Sequence, residues 1–236
     1  MSTCQNPPRI VICGTDTDVG KTVVSALFVQ GLEALYWKPV QSGLEGGGDR
    51  GRLRHWLNLP ESRTLPEVYA LRTPVSPHWA AELEQAHIDP EALILPPHTD
   101  KPLIIETAGG LMVPLNRQWL QLDQLEHWNL PVVLVARSSL GTINHTLLSL
   151  AALQSRRLPV IGLVLNGPTH SDNCRTITNF SNIPVLTELL PMPRISAENL
   201  HNHWQQSGLG LMVIDRLKLL EQASARPGYM TNQSPS

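Results

Sequence analysis

The nine residues Gly14-Thr15-Asp16-Thr17-Asp18-Val19-Gly20-Lys21-Thr22 restrict the fold more than any other stretch of the chain. They follow the apolar run Arg9-Ile10-Val11-Ile12-Cys13 and open onto Val23-Val24-Ser25-Ala26-Leu27, so Gly-Lys-Thr stands where a strand turns into a helix. Backbone N–H groups of such a turn, and the positive end of the helix behind it, attract phosphate oxygens. A lysine at the position of Lys21 reaches the outer phosphates of a nucleotide, and a hydroxyl at Thr22 can hold Mg²⁺. The usual phosphate loop has glycine five positions before the glycine of Gly-Lys-Thr, but Thr15 stands there, and the loop carries Asp16 and Asp18. Those acids suggest a loop that also handles a cationic or metal-linked second substrate.

Short apolar runs recur at Arg9–Cys13, Tyr36–Val40, Leu103–Glu106, Val132–Ala136, Val160–Asn166 and Ile183–Leu186 and read as buried parallel strands. Helical stretches at Thr22–Ala34, His78–Gln85, Leu120–Trp128, Ile143–Arg156, Asn173–Ser181 and Leu211–Ala223 alternate with them. The pattern predicts an α/β fold: a doubly wound, mostly parallel sheet with helices on both faces, of the P-loop NTPase type. Ligands of such sheets gather at the carboxyl ends of the strands. A length of 236 residues with 42% hydrophobic residues supports one core, so a single catalytic domain is expected over 1–223. Residues 224–236, with Pro227, Gly228 and Pro235, read as a disordered tail, and Gly43 to Gly48 as a mobile loop.

Lys and Arg number 18 against 20 Asp and Glu, a formal net charge of −2, which lacks the basic excess of a nucleic-acid binder. Met1 to Pro8 has no basic start and no long apolar stretch, and no later segment approaches a membrane span, so a soluble cytoplasmic protein is expected. Cys4, Cys13 and Cys174 show no paired spacing and read as free thiols, and the nine histidines show no zinc-ligand spacing.

Two more strand ends carry chemistry. Tyr36-Trp37-Lys38-Pro39-Val40-Gln41-Ser42-Gly43 ends an apolar run in Lys38, which a doubly wound sheet would bring beside the phosphate loop. Leu103-Ile104-Ile105-Glu106-Thr107-Ala108-Gly109-Gly110 ends one in a carboxylate placed to bind Mg²⁺ directly or through water. Taken alone, Lys38 is also what an ordinary exposed strand end offers, and Glu106 would serve equally as a cap or salt-bridge partner.

Together with Ser76-Pro77-His78 and Leu140-Gly141-Thr142-Ile143-Asn144-His145, these segments resemble the dethiobiotin synthetase family from about residue 9 to about residue 200. The resemblance implies ATP-dependent closure of the cyclic urea of dethiobiotin from 7,8-diaminononanoate and CO₂. It implies that Lys21 and Lys38 flank the carbamate and the γ-phosphate, and that Thr22, Asp49 and Glu106 hold Mg²⁺. Thr17 and Ser42 match substrate-side hydroxyls. Asp18, Val19, Gly20, Val23, Thr107, Ala108 and Gly109 match positions along the phosphates, and Asn166, Gly167, Pro191, Met192 and Pro193 match the surround of the adenine. Gly141, Thr142 and Asn144 match a helix start that receives the substrate carboxylate from the partner protomer's site, which implies a C2 homodimer with shared sites.

Some positions depart from the family. Thr107 stands where glycine is frequent, narrowing the space near the phosphates, and Gly167 where an acid often follows the asparagine. Asp49, after three glycines, reads equally as a helix N-cap acid, and Leu190-Pro191-Met192-Pro193 as a turn without a ligand. His78 fits a structure-fixing role better than that of a base. Two other readings share the fold: a ParA- or MinD-like ATPase switch, which would carry a second lysine early in the loop, and a cobalamin-pathway amide synthase, which would need an ammonia source.

Overall fold

The computed structural model describes residues 6–224. In chain order its elements are β1 (Arg9–Gly14), α1 (Lys21–Gly31), β2 (Leu35–Trp37), β3 (Val40–Ser42), α2 (Gly48–Leu57), β4 (Tyr69–Leu71), α3 (Pro77–Leu83), β5 (Leu103–Glu106), α4 (Gln121–Trp128), β6 (Val132–Arg137), α5 (Thr142–Ser155), β7 (Val160–Asn166), α6 (Ser171–Ser181), β8 (Val185–Leu189), α7 (Ala197–Ser207) and α8 (Leu209–Ser224). Six strands form one sheet in the order β2-β5-β1-β6-β7-β8, with every pairing parallel. The chain order reverses around β1, so the crevice at the carboxyl end of β1 is the switch point where such sheets bind ligands.

Strand residues alternate between two apolar layers, as a period of two requires. Val11, Cys13, Trp37, Ile105, Leu134 and Leu163 face one layer, which α4, α5 and α6 help to close through Leu125, Leu150 and Ile177. Ile10, Ile12, Tyr36, Ile104, Val133 and Val164 face the other, covered by Leu27 and Phe28 of α1, Leu200 and Trp204 of α7, and Leu209 and Val213 of α8. Helices thus lie on both faces of the sheet, as the apolar alternation predicts.

The run Tyr36–Val40 does not form one strand. Pro39 lacks an N–H and cannot continue a ladder, so the main sheet loses the chain after Trp37. Val40–Ser42 instead pairs in parallel with Tyr69–Leu71 as a separate two-stranded sheet. The last strand lies at Val185–Leu189 rather than at Ile183–Leu186. Helix α7, absent from the sequence reading, starts at Ser196, whose side chain accepts a bond from Asn199 N. Helix α8 runs to Ser224; the rest of the expected tail, 225–236, lies outside the described residues, as does Cys4. Cys13 and Cys174 are free. Among the described residues no helix is long and apolar enough to cross a membrane.

Candidate active site

The phosphate loop takes its shape from backbone freedom at the end that meets α1. Gly20 sits at φ +95°, and a Cβ there would stand 2.0 Å from Asn166 Nδ2, so only glycine fits between the loop and the end of β7. Asn166 Nδ2 donates to Val19 O at 3.0 Å and clamps the loop from that side. Asp16 clamps it from another: its carboxylate accepts Thr17 N at 2.7 Å and Arg137 Nη2 at 2.7 Å. The acid at Asp16 is therefore tied to Arg137 at the end of β6, whereas Asp18 lines the cavity described next.

A cavity of about 640 Å³ opens at the carboxyl end of the sheet. Thr17, Asp18, Gly20, Lys21, Thr22, Val23, Lys38, Ser42, Asp49, Glu106, Ala108 and Gly109 all line it. Lys21 Nζ donates to Asp16 O at 2.7 Å, curling over its own loop. Burial, then the nearby Lys38 charge, pulls the Lys21 pKa down to about 8. Lys38 is not the exposed strand-end lysine that Lys38 taken alone would be. It is 5% exposed, ion-paired with Asp49, and its Nζ lies 2.9 Å from Glu106 Oε1. Burial would lower its pKa, but Glu106 and Asp49 outweigh that and hold it above the ordinary lysine value. Burial likewise works against ionisation of Asp49, and Lys38 overturns it, holding Asp49 below the usual carboxylate range.

Glu106 is fully buried at the end of β5 and accepts Thr22 Oγ1 at 2.9 Å and Tyr36 Oη at 3.0 Å. Asp49 is not an N-cap. Gly47 occupies that place, and Asp49 sits in the first turn of α2, its N–H donating to Gln41 Oε1 at 3.2 Å. Gln41 Nε2 in turn donates to Ser42 O and Gly43 O, at 2.9 and 3.0 Å, so one amide fixes both the 41–43 strand end and the helix start. The buried Ser42 Oγ has no partner among the described residues.

Other matched residues lie outside the cavity. Val19 is buried behind the loop, and Thr107 turns toward β1, with N at 3.1 Å and Oγ1 at 3.5 Å from Ile12 O, so its side chain does not narrow the cavity. Gly167 has φ +135°, a conformation that explains glycine where an acid often stands. Its N–H donates to Leu189 O across the β7–β8 edge, and Pro191, Met192 and Pro193 follow just beyond that edge. Gly141, at φ +89°, is the N-cap of α5 with open space around it, and Gly141 and Asn144 are exposed. Thr142 is buried, and its N–H donates to Ser139 O at 3.1 Å. Arg52, Trp56 and Arg137 were not singled out in the sequence, and Tyr36 and Gln41 entered only as members of the Tyr36–Gly43 segment, without a role of their own. The signal for both was their nearness to Lys38, Tyr36 two residues before it and Gln41 three residues after.

Three oxygen donors of the right class face one another here: the Thr22 hydroxyl and the Asp49 and Glu106 carboxylates. Among the described residues no group of three or more His, Cys, Asp or Glu converges. Mg²⁺ asks for less, since it keeps several waters and takes one or two carboxylates plus substrate phosphates. The set fits that ion.

A glycine-hinged phosphate loop at the switch point of an all-parallel sheet, with a strand-end carboxylate on its threonine, defines a P-loop nucleotide-binding domain. A family model described as an AAA domain matches residues 8–199. The septum site-determining protein MinD of Pyrococcus horikoshii, solved with Mg-ADP, shares the fold with TM-score 0.55 at 14% identity over 93% of this chain and 99% of its own. The ATP-dependent dethiobiotin synthetase of Agrobacterium fabrum is 48% identical over 198 residues, covering 84% of this chain and 93% of that protein. That of Afipia carboxidovorans is 46% identical over 192 residues, 81% and 91% of the two chains. The chain belongs to the ATP-dependent dethiobiotin synthetase family.

Proposed function

We propose that the protein closes the cyclic urea of dethiobiotin from 7,8-diaminononanoate, CO₂ and ATP, releasing ADP and phosphate. The observation that carries this reading is the convergence of Lys21, Thr22, Lys38, Asp49 and Glu106 in one cavity with the unpartnered Ser42 hydroxyl. One substrate amine captures CO₂ as a carbamate, whose oxygen attacks the γ-phosphorus in line. The second amine then attacks the carbonyl of the carbamic–phosphoric anhydride and expels phosphate. Two anions must meet in the phosphoryl step, and the two lysines reduce that repulsion and stabilise the transferring group. Two of the three N–H donors of Lys38 go to carboxylates, which leaves one for the carbamate or the γ-phosphate. The Thr17 and Ser42 hydroxyls serve the amines and the carbamate, and no side chain needs to be covalently modified.

Thr22, Asp49 and Glu106 would hold Mg²⁺. The ion would supply charge neutralisation for the nucleotide phosphates. Phosphates seated on Asp18 to Val23, along Ala108 and Gly109, carry the base toward Asn166, where Gly167 and the 191–193 segment border the β7–β8 edge. Gly141, Thr142 and Asn144 at the start of α5 receive the substrate carboxylate from a second protomer's site. Their position outside the cavity of their own chain supports a C2 homodimer. The apolar side chains of Leu140, Leu148 and Phe180, exposed on and beside α5 and α6, support it too. We place this work in the cytoplasm, without nucleic-acid or membrane partners. ADP release from the purified protein should require both the diamine and bicarbonate. ATP hydrolysis indifferent to the diamine would overturn the reading in favour of an ATPase switch.

A further inference from the structure

Parallel pairing sets Tyr36 of β2 beside Ile104 of β5, and Trp37 beside Ile105. Because strand side chains alternate, Tyr36, Ile104 and Glu106 share a face of the sheet, and Tyr36 belongs with Ile10, Ile12 and Phe28 to the apolar layer beneath it. The Tyr36 ring is fully buried there and its hydroxyl reaches forward to Glu106 Oε2 at 3.0 Å. The other oxygen, Oε1, takes both Thr22 Oγ1 and Lys38 Nζ, each at 2.9 Å. The carboxylate is thus held by opposed donors, with one oxygen turned to the phosphate site and the other to Tyr36. A buried carboxylate oxygen stripped of its donor is costly, and Glu106 would have to turn to find another.

We infer that Tyr36 is a positioning residue for the reaction, its hydroxyl fixing the Glu106 carboxylate so that Oε1 faces the Mg²⁺-nucleotide. This rests on the proposed role of Glu106. Groups that orient a metal-side carboxylate typically affect metal affinity about 10- to 100-fold when lost.

The test compares ADP affinity in Mg²⁺ with ADP affinity in EDTA, by calorimetry, for wild type, Tyr36→Phe, Glu106→Gln and the double variant. Tyr36→Phe keeps the ring and its packing. It should cut the Mg²⁺-dependent gain in ADP affinity by about tenfold or more, leave ADP binding in EDTA close to wild type, and add nothing in the Glu106→Gln background. If Glu106→Gln loses the gain while Tyr36→Phe keeps it, Tyr36 is a core residue only and the inference falls. If Glu106→Gln itself keeps the gain, the metal-side reading of Glu106 fails and takes this inference with it. Should Tyr36→Phe not fold, 4-fluorophenylalanine at position 36 fills the place of the hydroxyl but has no proton to donate to Glu106 Oε2. An unchanged Mg²⁺-dependent gain with that side chain would likewise overturn the inference.

Discussion

Lys38 has three N–H donors and, in this site, two carboxylates to give them to. An ammonium 5% exposed would not survive alone at that depth, and Glu106 and Asp49 hold it charged. In the proposed reaction Lys38 acts as charge builds on the transferring group, so its removal bears on the transition state more than on the bound nucleotide. Lys38→Ala should therefore lower turnover by about 10²-fold or more, roughly 3 kcal/mol of transition-state stabilisation, with ADP affinity changed far less. Lys21→Ala should weaken ADP binding as well, since Lys21 lies on the loop that cradles the phosphates. Steady-state kinetics and calorimetry separate the two effects, and near-normal turnover in Lys38→Ala would refute the assignment. The lysine, the loop and the strand-end acid were legible because each sits in a short motif with its own chemistry. The roles of Arg137 and Tyr36 were not, since their partners are 121 and 70 residues away and only the sheet brings them together, while Gln41 reaches Asp49, 8 residues on, only once the intervening glycine turn has folded back.

At the scale of elements, apolar runs revealed four of the six main strands within a residue of where they lie and displaced the other two, because buried parallel strands announce themselves as unbroken apolar runs. Pro39 was visible but its consequence was not: a two-stranded sheet depends on a partner at Tyr69–Leu71 that is 3 residues long and buries only Leu71 fully. Helix α7 escaped because its buried anchors are few, Leu200 and Trp204. Trp204 stacks edge-on against Phe28 of α1 at 5.4 Å between ring centroids, and its ring fills the space above Gly31. A Cβ at Gly31 would lie 2.1 to 2.4 Å from three atoms of that ring. Alanine gains about 1 kcal/mol of helix propensity over glycine, but the overlap forces two helices apart at a typical cost of about 1–3 kcal/mol. Gly31→Ala should therefore destabilise on balance, and Trp204→Leu beside it should cost less than the sum of the single changes, as measured by urea unfolding. A second tie on α7 is sensitive to pH. His203 Nε2 lies 2.9 Å from Thr187 Oγ1 of β8, and burial lowers the His203 pKa below its ordinary value of 6.5. The unfolded chain then binds the proton more readily, so stability should fall as pH drops below about 6.5. His203→Asn should flatten that part of the curve, and an equally steep fall in the variant would remove His203 from the account.

For the whole molecule, the decisive question is whether one chain can complete its own site. The cavity that holds Lys21 and Lys38 is not lined by Gly141 or Asn144, although both are exposed at the start of a 14-residue helix. That helix start, with its positive end and an N-cap glycine in open space, suits a carboxylate. In a C2 dimer each site would combine the phosphate loop of one protomer with the α5 start of its partner. Gly141→Asp should repel the carboxylate, and the substitution has room, at a positive φ that Asp tolerates better than most residues. Lys38→Ala disables the chemistry instead, so each homodimer should be inactive. In co-expressed chains about half the dimers are mixed, and each mixed dimer carries one intact site and one doubly damaged site. Ring-closing activity should then recover to roughly a quarter of normal, and dimers purified through two different tags should show half the wild-type rate per dimer. An inactive mixed dimer, from parents that both fold and dimerise, would mean that each chain closes the ring with its own residues alone.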